Sequence, residues 1–379
     1  MISFELSAEQ KKLQEKINRR AVALQPLSLK VDSAEPGPID GDYLCIIAEE
    51  KLNSFIIPDE CGGHALDRLT LSIVTEEIGY GCAGLASIYA ATVHSVSALL
   101  IGGSEEQQKK FLSPLLDPAD AVASCCITEE KGGSNTSSFS TMARQDGEYY
   151  IITGEKVPVL NAGSAAFYIV WANSDTGRGR AGINTFVIPG DADGIIVGPY
   201  HDKPGLRCAP TATVTFREVA VPKSNLIGLP GSGYLLLMQT LDWGRAFFGA
   251  ICVGLARAAL EKSIQFAKKR VVSSRPIIKN QGISFVLSEL AAEIDAARLL
   301  VWRACRLMDL NKDYTRESSM AKLFASEVAA RASGKGMQIL GKTGYLRPHL
   351  MSKFHRDSQG LLILEGTSPI QKQIIAGQL

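Results

Sequence analysis

The sequence predicts an α+β protein in three parts. These are an N-terminal helical domain over residues 1–120, a middle antiparallel β-sandwich or barrel over 121–226, and a C-terminal four-helix bundle over 227–379. Three observations predict this order. Apolar residues recur at helical spacing behind capping signals in the first third. Short β-type runs with no helical stretch between them fill the middle. Long helical segments, one with a clear apolar stripe, fill the rest. A chain of 379 residues is long enough for two or three cooperating domains around a large core.

Ser7-Ala-Glu-Gln10 reads as a capping box that opens a helix with Leu13 and Ile17 on its apolar side. Glu35-Pro-Gly-Pro38 breaks the chain before a second helix at about 40–52, and Ile57–Gly63 is a loop. Leu69, Ile73, Val74 and Ile78 have helical spacing, and the small-residue helix Ala83–Ile101 is apolar enough to be buried. Ser104-Glu-Glu-Gln107 caps a helix ending at Pro114. Asp146-Gly147 signals a hairpin, and Glu148–Thr153, Phe167–Trp171, Asn184–Ile188 and Thr211–Phe216 are β-type runs. Long helices are expected at about 234–271, 280–310 and 315–340, the middle one striped by Ile283, Val286, Leu287, Leu290, Ile294, Ala297 and Val301. Gly360–Gly377 is the expected last helix of the bundle.

Hydrophobic content of 46% with 21% charged residues is that of a soluble globular protein. Forty basic against 39 acidic residues leave a net charge of +1, which argues against nucleic-acid and membrane-surface partners. Met1-Ile-Ser-Phe-Glu-Leu6 leads into charged helix rather than a signal sequence, so a cytoplasmic location is expected. The eight cysteines are scattered without a CxxC pair and read as reduced core thiols; no metal is expected.

The candidate chemistry lies in Leu361–Gln371. Glu365 ends an apolar run, where lost hydration is expected to raise its pKa and strengthen it as a base. Gly366 permits a sharp turn, and Thr367 can cap the helix that follows. On these residues alone a solvated Glu at a loop-to-helix junction is the favoured alternative. His94, on an apolar helix, reads as a packed histidine rather than a catalyst. Cys125 and Cys126 read as buried strand thiols. Gly177-Arg-Gly-Arg-Ala-Gly182 satisfies GxGxxG but joins two strands, so it reads as a loop and not a dinucleotide fingerprint.

The segment order, closed by Ile363-Leu-Glu-Gly-Thr367, resembles the acyl-CoA dehydrogenase family of flavoproteins over essentially the whole chain. Pro58–Gly63 and Glu76–Cys82 look like its first-domain landmarks, and Cys126–Ser134 like its flavin-contacting strand and loop. The resemblance implies non-covalent FAD held by Thr128, Ser134, Arg270, Gln338, Gly341 and Thr367, with Gln338–Gly344 reaching the FAD of a neighbouring subunit in a homodimer or homotetramer. It implies Glu365 as the base that removes an α-proton from an acyl thioester, with its backbone N–H polarising the thioester carbonyl. Some members carry the base where this chain has Gly244, which leaves Glu365 without a rival. Asp242 and Arg245 match positions lining the substrate entrance; a helix-surface ion pair is the competing reading.

The departures lie around the flavin. Pro158 and Leu160 replace an aromatic and a hydroxyl residue, Glu130-Lys131 and Asn135 alter the loop, and Val272 and Ser273 alter the pyrophosphate segment. Three functions follow from the resemblance: oxidation of a CoA thioester, oxidation of a small hydroxy- or amino-acyl group on an acyl carrier protein in polyketide or peptide biosynthesis, or a redox-silent homologue. Leu241-Asp-Trp-Gly-Arg245, and the lack of a basic cluster near Asp242 for CoA phosphates, favour the carrier protein.

Overall fold

Ser7 and Gln10 exchange hydrogen bonds as the expected capping box, the Gln10 N–H donating to the Ser7 hydroxyl and the Ser7 N–H to the Gln10 side chain. They open α1 (Ala8–Ala23) in a computed structural model that describes residues 5–116, 122–137 and 139–379. Then come α2 (Gln25–Asp32), α3 (Gly41–Glu49), α4 (Arg68–Gly81), α5 (Ala83–Gly102) and α6 (Glu105–Leu112). The short α2, started by a proline in its first turn, has no counterpart in the sequence reading. α5 is long and apolar enough to cross a bilayer, yet 89% of that stretch is buried inside the protein, which makes it a core helix. The expected boundary at residues 120 and 121 lies outside the described residues.

Among the described residues the β domain is one sheet of eight strands: β1 (Ser124–Cys126), β2 (Met142–Asp146), β3 (Tyr149–Leu160), β4 (Phe167–Asn173), β5 (Ile183–Pro189), β6 (Ile195–Tyr200), β7 (Thr211–Pro222) and β8 (Leu226–Ile227). Their order is β6-β7-β3-β2-β4-β5-β8, with β1 beside β4. β2 and β3 form the expected hairpin. The sheet is not purely antiparallel, however. β1 runs parallel to β4, with Ser124 opposite Tyr168, and β2 meets β4 in parallel at Met142 and Asn173. The β2–β3 hairpin lies between β1 and β4 in the chain, a connection long enough to bring β4 back in the same direction. All seven residues of β4 are buried. Phe167, Ile169 and Trp171 face the helical core, and Tyr168, Val170 and Ala172 face the interior of the β domain.

Trp171 Nε1 donates to Gly233 O at 3.1 Å, where α7 (Gly233–Lys269) begins. α8 (Gln281–Asp309) and α9 (Thr315–Leu340) complete the expected long helices, and α8 buries Leu287, Leu290, Ile294, Ala297 and Val301. α7 and α9 run in one direction: Thr315 Oγ1 donates to Asp242 at 2.8 Å, Gly249 faces Ala321, and Gly336 faces Ser263. Their C-terminal ends, at Arg270 and Gln338, therefore emerge at the same end of the bundle. Glu76 and Glu77 of the α4 landmark accept hydrogen bonds from Arg257 of α7, and Glu76 from Arg298 of α8, tying the first domain to the bundle.

The expected single helix Gly360–Gly377 is a correction. After the short α10 (Lys342–Tyr345), α11 (Leu350–Leu361) and α12 (Ser368–Ala376) are separated by a turn. Within it Glu365 has φ 57° and Gly366 φ 93°, left-handed values that no continuing α-helix accepts.

Candidate active site

Two fully buried side chains from outside the turn hold its backbone. Lys322 Nζ of α9 donates to Leu362 O at 3.1 Å and to Gly366 O at 2.7 Å. Gln371 Nε2 of α12 donates to Glu365 O at 2.8 Å and to Gly366 O at 3.0 Å. These four bonds over-determine a backbone shape that costs a non-glycine residue free energy at Glu365. No local pattern ties Lys322 to the turn, and Gln371, although it closes the candidate stretch, carries no sequence sign of this role. Thr367 occupies the N-cap position of α12, but its side chain makes no capping bond, contrary to expectation. No backbone acceptor among the described residues takes the Glu365 N–H.

The turn presents Glu365 to α5, where Oε1 lies 3.2 Å from Nδ1 of His94. The imidazole is buried. Burial pushes the Glu365 carboxyl up, as expected, but His94, Arg245 and Lys322 together outweigh it and hold the group below the ordinary carboxylate range. The expected net rise is therefore a correction: the side chain is enclosed, yet it is enclosed by the His94 contact and by the charges of Arg245 and Lys322. Cys125 of β1 lies near the same carboxylate and shares a 3.4 Å contact with Ser95. Burial pushes its thiol up to about 12, so it stays a thiol.

Gly244 on α7 completes the enclosure. A Cβ there would stand 2.9 Å from Glu365 Oε2 and 3.5 Å from His94 Cδ2, so the missing side chain is the room the pair occupies. Its neighbour Arg245 is buried and bonds Asp242 through Nη1, while Asp242 Oδ2 accepts from Thr315. Asp242 and Arg245 are thus ion-paired, but inside the protein and not on a helix surface. Beside them a cleft of about 410 Å³ is lined by Trp243, Tyr314, Arg68 and Lys312 among others. The fold therefore brings two basic residues near Asp242 that the linear sequence holds far apart. Arg68 stacks 4.9 Å over the Trp243 ring.

The residues matched to cofactor binding separate into two groups. Thr128 follows β1 by two residues, close to Cys125, and Thr367 adjoins Glu365; both are half-buried. Ser134 is exposed on the loop that follows β1. That loop is braced by Glu129, a residue sequence reasoning passed over: its carboxylate accepts from the Ser140 and Thr141 N–H groups and from Lys156 Nζ at 2.9 Å. Arg270, Gln338 and Gly341 lie together at the far end of α7 and α9, all exposed, and no hydrogen-bond or ion-pair partner of the Arg270 guanidinium occurs among the described residues. Roughly 40 Å of helix separates Gly244 from Arg270. Half-buried hydroxyls thus lie at one end of the helix pair, and a guanidinium without a partner among the described residues at the other. Among the described residues no His, Cys, Asp and Glu side chains cluster as a metal site. Gly177–Gly182 forms a kinked 3-10 turn between β4 and β5.

Three family descriptions match in succession: acyl-CoA dehydrogenase N-terminal domain over residues 7–118, middle domain over 124–219 and C-terminal domain over 231–379. The chain is 37% identical over 338 residues to the mitochondrial short-chain specific acyl-CoA dehydrogenase of Rattus norvegicus, covering 88% of this chain and 81% of that one. Its fold is similar to that of butyryl-CoA dehydrogenase from Megasphaera elsdenii, with TM-score 0.95, 30% identity and coverage of 100% and 99%. It is also similar to the prolyl acyl carrier protein oxidase AnaB, with TM-score 0.93, 29% identity and coverage of 99% of both chains.

Proposed function

This chain belongs to the acyl-CoA dehydrogenase family, whose members are FAD-dependent oxidoreductases, and from that premise we propose that it oxidises a small acyl group carried as a thioester on an acyl carrier protein, with Glu365 as the base. The observation that carries the reading is the ionised, enclosed Glu365, whose Oε2 has no hydrogen-bond partner among the described residues. Oε2 accepts the α-proton while Oε1 stays with His94. The free Glu365 N–H donates to the thioester carbonyl and stabilises the charge that develops there. When bound, FAD supplies the acceptor for the hydride. Thr128, Ser134 and Thr367 hold it from one copy of the chain, and Arg270, Gln338 and Gly341 from a second, which makes the working unit a homodimer or homotetramer. Asp242, through its ion pair, fixes Arg245 beside Glu365 at the inner end of the substrate path.

The carrier-protein substrate is supported by the likeness to AnaB, which acts on a prolyl group carried in that way, and by the polar lining around Glu365. Arg68 and Lys312 in the adjoining cleft favour the second reading, an ordinary acyl-CoA substrate with phosphates to bind. Anaerobic flavin reduction with one short acyl group, presented on a carrier protein and on CoA, decides between them. Faster reduction by the carrier-bound ester is expected; faster reduction by the CoA ester, or by butyryl- to octanoyl-CoA, overturns the first reading.

A further inference from the structure

Three buried polar atoms of neighbouring site residues have no hydrogen-bond partner among the described residues: His94 Nε2, Glu365 Oε2 and Arg245 Nε. One of them, Oε2, is accounted for by proton removal. An unpaired imidazole nitrogen is not. His94 is 3% exposed, on a helix whose neighbouring side chains are buried, and leaving such a group unsatisfied destabilises a protein unless something else repays it. Its Nδ1 faces Glu365, so the neutral tautomer that donates from Nδ1 leaves Nε2 as an acceptor.

Gly244 shows how close the carboxylate and the imidazole edge lie to each other. A Cβ built there meets Oε2 at 2.9 Å and His94 Cδ2, the ring carbon bonded to Nε2, at 3.5 Å. A ligand group that reaches Oε2 therefore lies beside the imidazole edge as well. If its α-carbon presents a proton to Oε2, a substituent on that carbon is directed at Nε2. A plain alkyl chain there buries the imidazole acceptor without a donor.

Resting on the acyl thioester reading above, we propose that His94 is a specificity-determining residue, whose Nε2 accepts a hydrogen bond from a hydroxyl or amino group on the α-carbon of the substrate. The pair then has divided labour: Oε2 faces the α-proton and Nε2 faces the donor substituent. The same contact orients the α-carbon, since it fixes two of the groups around it. Hydroxyl and amino groups share this donor chemistry, and the experiment separates them.

The test uses the FAD-loaded protein and three pantetheine thioesters of equal length: propionyl, 2-hydroxypropionyl and 2-aminopropionyl. Pantetheine removes the contribution of CoA phosphates and of a carrier-protein surface. Anaerobic flavin bleaching gives the apparent dissociation constant and the limiting rate separately, and calorimetry on Glu365→Gln gives binding without turnover. One of the donor-bearing esters is expected to bind at least about tenfold more tightly than propionyl. His94→Leu is expected to erase that ratio while FAD occupancy is retained, and His94→Gln, which keeps an acceptor, to restore part of it. A mere packing role moves all three esters alike. The inference is overturned if the wild-type protein binds propionyl as tightly as both substituted esters, or if the ratio survives in His94→Leu. Should His94→Leu fail to fold, the wild-type ratio and His94→Gln still decide. Bleaching by propionyl alone overturns this inference and leaves the dehydrogenase reading standing, whereas no bleaching by any thioester overturns that reading itself.

Discussion

A single residue, Glu365, shows how two effects of burial compete. Desolvation alone would hold its proton; the His94 contact and the charges of Arg245 and Lys322, each from a different helix, release it. Glu365→Gln keeps the shape and cannot accept a proton, so the limiting rate of flavin reduction by substrate is expected to fall by about 10²–10⁴-fold, with FAD binding and fold unchanged. Reduction of the mutant at the wild-type rate would remove Glu365 from the mechanism. Gly244→Ala tests the enclosure instead of the base. Its Cβ, 2.9 Å from Oε2, must displace the carboxylate. A displacement of about 1 Å at a reacting group costs on the order of 100-fold in rate, to be read by stopped-flow reduction with FAD content as the control.

Elements, more than residues, decide whether the site exists at all. The turn between α11 and α12 has no core of its own and depends on Lys322. Lys322→Met removes two donations to backbone carbonyls, and a loss of about 3 kcal/mol is expected from denaturant unfolding, together with lowered activity. The loop after β1 depends in the same way on Glu129, which its Lys156 partner and two backbone N–H groups bring down to about 2 against the opposing effect of burial. The sign follows from linkage: a carboxyl with a depressed folded pKa stabilises the fold above its unfolded value of 4.5, and that contribution is lost as pH falls from there toward 2. In the double variant Glu129→Gln/Lys156→Met both partners are neutral, so its stability between pH 4.5 and 2 is expected to fall less steeply than that of the wild type. Parallel acid titration curves for the two proteins would contradict the pair's role.

At the scale of the whole molecule, the two groups of residues proposed to hold FAD lie at opposite ends of the α7 and α9 pair. Exposed apolar residues gather at the Arg270–Gln338 end, with Val271 53%, Val272 49% and Tyr345 72% exposed, a surface suited to a second copy. If that copy completes the site, FAD binds the assembly more tightly than the monomer and stabilises it by mass action. Dilution of the holoprotein is expected to release FAD and subunits together, and Arg270→Ala to weaken both. Light scattering that finds a monomer with full FAD occupancy would overturn this arrangement.

Much was legible in the sequence because it depends on neighbours along the chain. Capping residues, the 3.6-residue stripe of α8 and the Asp146-Gly147 hairpin act locally, so three segments and their order could be read directly. Motif spacing was legible for the same reason: Glu365-Gly-Thr367 could be picked out as the candidate catalytic segment. What only the tertiary structure decided depends on residues far apart in sequence. The α11–α12 break was hidden because its restraints, from Lys322 and Gln371, come from outside the turn. The parallel β1–β4 pairing depends on a crossover, which leaves no local signature. His94 read as packing because nothing near it is polar in a way that marks a ligand; its meaning comes from Glu365, 271 positions away. The sign of the Glu365 shift was beyond the sequence for that same reason, since electrostatic effects follow distance in space, and apolar neighbours in the chain say nothing about cations delivered by other helices.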